Sequence, residues 1–290
     1  MKYLILVLIG VLSFTAVAQR EEEEEEGRSF FFGLNIGAFK ANKKAALVYN
    51  GNYYYHPDGD KNEGYYGVAY YFNNYNTKIA LDNYFKYSYK IVGFPTPETV
   101  SYQTAFDVGG HAGVKLGEYM TVYGDLNLSK INIKNVFTVE IGNPNDPTLI
   151  GEGELEQIAI FGEEKRTNLN IGIQAYTYKE GKTIVYVNGF VNLNNTKLEK
   201  NYFRVGEVNY QILHNNYING QNGTVDLFEA RQVPGGVGFG VGIGSGVKYE
   251  FNDQFTFDLN YNALYIRTNL YKEFKPFGLN HALTFRIIWG

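Results

Sequence analysis

Eight stretches of this chain alternate apolar and polar residues with a period of two. That period belongs to strands with a different environment on each face. The stretches run from Phe30 to Phe39, Tyr102 to Leu116, Tyr119 through Leu128, Asn168 to Tyr176, Thr183 to Asn194, Val237 to Val247, Phe255 to Tyr265 and Leu279 to Trp289. In the first, Phe30, Phe32, Leu34, Ile36 and Ala38 share one face, opposite Phe31, Gly33, Asn35, Gly37 and Phe39. In the sixth, every even position from Gly238 to Gly246 is glycine, while Val237, Phe239, Val241, Ile243 and Val247 occupy the odd face. A G-x-G-x-x-G nucleotide loop needs an odd offset between glycines, so this ladder is a strand face.

Three connections are tight: Gly117-Glu118, Lys179 to Lys182 and Phe251 to Gln254. They alternate with four long ones, at residues 40–101, 138–167, 195–236 and 266–278. An even number of antiparallel strands of about ten residues, with short turns at one end and long loops at the other, matches an outer-membrane barrel. The expected fold is all-β: an eight-stranded antiparallel transmembrane β-barrel with long extracellular loops and short periplasmic turns. A soluble sandwich or lipocalin-like barrel alternates with the same period. Lipid is favoured because the polar faces carry Gly and Asn far more than Lys and Glu. Aromatics also gather at strand ends, with Phe30, Tyr249, Phe255 and Trp289 at the periplasmic end and Tyr102 and Tyr265 at the outer end.

The first 18 residues read as a signal peptide. Lys2 precedes the apolar run "YLILVLIGVLSFTAV", and Ala16-Val17-Ala18 supplies a cleavage site after Ala18. Residues 19–28 then form an acidic periplasmic tail containing six consecutive glutamates, a solvated spacer or a docking tail for a basic partner or divalent cations. Residues 29–290 form the barrel domain. The chain has no cysteine, which excludes disulfides and a lipid-modified N-terminal cysteine. A net charge of -4 argues against a nucleic-acid partner.

With these strands in view, the chain resembles the small eight-stranded outer-membrane barrels of the OmpA/OmpX/OmpW type. The resemblance covers Ser29 to Gly290 as architecture. Its last strand, "ALTFRIIWG", is similar to the terminal assembly signal of that class, although Trp289 is penultimate where the aromatic is usually last. The Tyr- and Asn-rich loops resemble those of Bacteroidota outer-membrane proteins.

Eight strands leave a lumen that side chains can fill. Its candidate network is Asp107, His111, Lys115, Asp125, Asp258 and Arg286, with Lys248 and Glu250 nearby. Asp258 and Arg286 fall near the periplasmic ends of adjacent strands, where an ion pair is expected. Asp107, His111 and Asp125 could also be read as a catalytic cluster, for which Ser129 is the one hydroxyl in range. Tyr186 and Phe190 are expected to lie over the glycine face Gly238, Gly240, Gly242, Gly244 and Gly246. Asp58, Asp60 and Asn62 resemble the start of a calcium loop, but Glu63 stands where an EF-hand needs Gly and Ala69 where it needs Glu, so a polar turn fits as well. No cofactor or metal is expected.

Between Tyr49 and Tyr89 the first loop holds twelve tyrosines, including Tyr53, Tyr54, Tyr55, Tyr70 and Tyr71. Tyrosine suits both protein contact and self-packing into a cap. The leading expectation is a non-enzymatic outer-membrane protein that presents these loops, as an accessory subunit of an envelope complex. The expected partners are outer-membrane lipid and other envelope proteins. The alternatives are a conduit for small apolar molecules through a lateral opening, and a lipid-modifying enzyme.

Overall fold

The computed structural model describes residues 29–51, 67–96, 99–142, 153–212, 235–270 and 275–290. Eight strands close a ring: β1 (Phe30–Lys40), β3 (Ala105–Lys115), β4 (Met120–Ile141), β5 (Glu154–Glu180), β6 (Thr183–Val205), β8 (Gly235–Glu250), β9 (Phe255–Arg267) and β10 (Phe277–Trp289). Each pairs antiparallel with both neighbours, and β1 meets β10 to complete the circle, so no edge is left open. Two short strands stand outside the ring. β2 (Tyr89–Gly93) pairs with the far end of β4, and β7 (Val208–Gln211) with the far end of β6.

The turns at one end are tight because glycine supplies their geometry. Gly117 and Gly181 both sit at positive φ, +77° and +54°, with open space around them. That end, which also carries Phe30 and Gly290, is called the termini end here; the opposite end is the head end.

Three strands run well past the stretches read from alternation. β4, β5 and β6 span 22, 27 and 23 residues, so much of 138–167 and part of 195–236 is paired strand rather than loop. Within 40–101 lie α1 (Lys43–Ala46), a 3₁₀ turn (Leu47–Tyr49), α2 (Val68–Asn73), α3 (Tyr75–Phe85) and β2. Asn42 caps α1 by accepting from the Ala45 amide, and Asn74 caps α3 by accepting from the Asn76 amide.

Two hydrophobic clusters follow. One sits at the head end of the lumen, where Ala45, Ala46 and Tyr49 from the first loop meet Ile131, Ile133, Leu198, Leu264 and Ile266. The other lies beyond the ring, where Phe72, Leu81 and Phe85 of α2 and α3 pack on Phe137, Ile158, Ile160, Phe203 and Tyr210. Tyr102 needs a correction. It is 1 % exposed and faces inward, not outward in an aromatic girdle. β3 begins only at Ala105, and a single bridge to Ile133 joins Tyr102 to the sheet, so no continuous pleat fixes its side.

Candidate functional site

The lumen is filled by polar side chains in linked hydrogen bonds. Arg286 on β10 is the centre, donating to Asp258 Oδ2 at 2.8 Å and to Asp125 Oδ2 at 2.9 Å. These three groups are fully buried, which only mutual pairing makes tolerable. His111 Nδ1 lies 2.7 Å from Asp125 Oδ1, and Asn35 donates to that same oxygen at 3.0 Å. The Tyr186 hydroxyl donates to Asp258 at 2.8 Å. Asp107 takes a separate partner, the Ser129 hydroxyl at 2.5 Å. Five of the six network residues are therefore buried in the lumen, with Asp107 held by Ser129 apart from the Arg286 cluster.

Lys115 is the exception. It is exposed at the termini end, on the wall of an open bowl of about 510 Å³ shared with Glu118, Tyr176, Lys248, Glu250 and Trp289. Lys248, buried at the bowl's floor, donates to Gln174 Oε1 at 2.7 Å and lies 5.2 Å from the Tyr186 ring centre.

The glycine face is covered in parts by different groups. A Cβ on Gly242 would fall inside the Phe190 ring, and one on Gly246 would strike the Tyr186 phenol. Gly244 lies under Asn188 and Asn262, Gly240 against Ile266, and Gly238 against Asn194. The two aromatics thus lie over two of the five glycines, and asparagines and an isoleucine take the rest.

Sequence reading passed over a second buried cluster, at the head end. Arg166 donates to Glu164 at 2.5 Å, and Glu164 accepts from the Tyr102 and Tyr49 hydroxyls at 2.9 and 3.2 Å. Arg166 also stacks over Phe39 and Tyr102. This cluster ties the first loop to the barrel wall. Both charged residues share the inward parity of Asn168 and Asn170, so following that parity back along β5 would have found them.

In the head, Tyr71 is buried and its hydroxyl donates to the Gln211 carbonyl, while its ring packs edge-on to Phe203 and Tyr210. Tyr70 is exposed beside it. Tyr53, Tyr54, Tyr55, Asp58, Asp60 and Asn62 lie outside the described residues, as do residues 1–28. Among the described residues no group of three His, Cys, Asp or Glu is placed to hold a metal.

One pattern decides the surroundings of the ring. On β4 the outward residues Met120, Val122, Leu126 and Leu128 are apolar, and the inward Asp125, Asn127 and Ser129 are polar. Past Ser129 the same strand reverses phase: Lys130, Asn132 and Lys134 point out while Ile131, Ile133 and Phe137 point in. β5 reverses likewise, from outward Leu169, Ile171 and Ile173 to outward Glu163 and Lys165. A strand that keeps its pleat but inverts its polarity has passed from lipid into water. The chain is an eight-stranded outer-membrane β-barrel. Phe30, Tyr249, Phe255 and Trp289 face outward at one end of the apolar band and Tyr265 at the other.

No protein-family model matches the chain, and no curated protein matches it. Among solved structures it overlaps neisserial surface protein A at 11 % identity and TM-score 0.42, over 91 % of this chain and 99 % of that one. It overlaps Ail, the attachment invasion locus protein of Yersinia pestis, solved with the heparin analogue sucrose octasulfate, at 9 % identity and TM-score 0.32, over 91 % and 97 %. A third is the translocator domain of the autotransporter NalP from Neisseria meningitidis, at 8 % identity and TM-score 0.28, over 100 % and 97 %. These overlaps are loose; the architecture stands on ring closure and on the phase reversal.

Proposed function

We propose that the protein is a non-enzymatic outer-membrane barrel that holds an ordered, Tyr- and Asn-rich extracellular head for contact with a protein partner, as an accessory subunit of an envelope complex. In barrels of this kind the tight turns lie in the periplasm, which puts the head outside. The observation that carries the reading is the second hydrophobic core. Phe72, Phe85, Phe137 and Phe203 are buried beyond the apolar band, where they do nothing to span a bilayer. What that core supports is a surface: α3 presents Tyr75 and Ile79, one turn apart and both exposed.

The other two readings fit less well. Ser129 is bonded to Asp107 and not to His111, and among the described residues no hydroxyl is hydrogen-bonded to the imidazole. Among the described residues the lumen is occupied by hydrogen-bonded side chains, which disfavours a conduit, and each pair of neighbours in the described ring is hydrogen-bonded where a lateral opening would have to form.

The test is affinity purification from native outer membranes. A stoichiometric partner is expected with the wild type. It should fall at least tenfold with Tyr75→Ala/Ile79→Asp, both exposed positions, while barrel yield and melting stay unchanged. An unaccompanied monomer in native membranes would contradict the proposal.

A further inference from the structure

The outward face of β4, β5 and β6 carries an arrangement that neither the lumen nor the head explains. Lys130 stands directly across from Lys165, and Lys165 directly across from Lys197. All three side chains are exposed on the outside of the barrel. Directly opposed residues hold their Cβ atoms about 4.5–5.5 Å apart, where like charges repel. Lys200 adjoins the row, and Lys134, four residues further along β4, holds its ammonium 6.0 Å from the Phe161 ring centre.

Two carboxylates partly offset this charge. Glu163 bridges Lys130 and Lys200 at 3.0 and 3.3 Å, and Glu199 bridges Lys165 and Lys197 at 3.6 and 3.0 Å. Partial burial opposes ionisation of Glu163, but hydrogen bonds from Lys130 and Lys200 outweigh it and hold its carboxyl below the ordinary range. Each carboxylate serves two ammoniums, so among the described residues these four lysines keep an excess of two positive charges.

Position names the anion that would balance them. One outward step toward the termini end the residues in register are Leu128, Thr167 and Asn195; the next step is Leu126, Leu169 and Leu193. The leucine row belongs to the lipid-facing band, and the lysine row lies four residues away, roughly 13 Å of strand. A lipid with acyl chains on the leucines brings its head group to the ammoniums.

We infer that the Lys130–Lys165–Lys197 row binds a bisphosphorylated glycolipid of the outer leaflet, its phosphates bridging the opposed ammoniums and its chains lying along Leu126, Leu169 and Leu193. The outer leaflet enters through the proposed outward orientation of the head.

The test titrates purified protein in nonionic detergent with lipid A and counts retained lipid by native mass spectrometry. Wild type should retain lipid A roughly a hundredfold more tightly than Lys130→Gln/Lys165→Gln/Lys197→Gln, since a surface lysine contributes roughly fivefold. Glu163→Gln/Glu199→Gln, which releases four lysines from their carboxylates, should bind more tightly than wild type, a result that a damaged barrel does not produce. Dephosphorylated lipid A should lose the preference. Equal retention by wild type and the lysine variant overturns the inference. So does phosphatidylglycerol held as tightly as lipid A, or displacement of lipid A by millimolar inorganic phosphate. Detergent removes sidedness, so failure here leaves the orientation of the head to be judged separately by labelling intact cells.

Discussion

At the scale of single residues, Arg286 holds the lumen together. It is the shared partner of Asp125 and Asp258, and the Tyr186 hydroxyl lies 3.3 Å from it. Arg286→Ala leaves two carboxylates buried without their cation, and stability should fall by about 3–5 kcal/mol. Thermal unfolding in detergent measures this, and a melt coincident with wild type would contradict the pairing. Restoring neutrality with Asp125→Asn and Asp258→Asn in the same chain should recover much of the loss. Parity made Asp258 and Arg286 legible in the sequence, because each sits three residues, an odd number, from the outward aromatic at its strand end, Phe255 or Trp289. Parity failed at Tyr102, where the residues before Ala105 leave the pleat. It also gave no warning of Arg286 reaching Asp125, since that contact crosses the lumen between strands that are not neighbours.

At the scale of elements, the informative objects are the long strands β4, β5 and β6. A transmembrane strand needs about 9–11 residues, and these run to twice that or more. Read for one apolar phase, the alternation on β4 stops at Leu128, because Lys130 and Lys134 stand where apolar residues would continue it. The alternation had not ended; it had inverted, as Ile131, Ile133 and Phe137 show. The sequence carried this signal in full, and only an assumed constant phase hid it. The helices α2 and α3 were less legible, since their buried residues meet partners such as Phe137 and Phe203 that are distant in sequence. Removing one such partner tests the element: Phe203→Ala should destabilise the head by about 3–5 kcal/mol. Hydrogen exchange should then quicken for amides of 68–85 and stay unchanged for 105–115. Equal quickening in both would mean that head and barrel unfold as one unit.

At the scale of the whole molecule, one continuous sheet serves two solvents. Its lower part turns apolar side chains to lipid and encloses a polar lumen; its upper part turns charge to water and encloses an apolar core. The first-loop residues Ala45, Ala46 and Tyr49 pack between the two, against Ile131, Ile133 and Leu198 of the strands. That arrangement explains why the tyrosines of the first loop divide in role, with Tyr49 and Tyr71 packed inside and Tyr75 displayed. The central claim is that the band between the two regions is the membrane, with the head outside and the tight turns inside. The chain contains no cysteine, so single cysteines can be placed without background. Tyr75→Cys on α3 and Asp253→Cys in the β8–β9 turn are to be probed with a membrane-impermeant maleimide on intact cells. The account predicts labelling of Tyr75→Cys at once and of Asp253→Cys only after the outer membrane is permeabilised. Immediate labelling of both, or of Asp253→Cys alone, would contradict it.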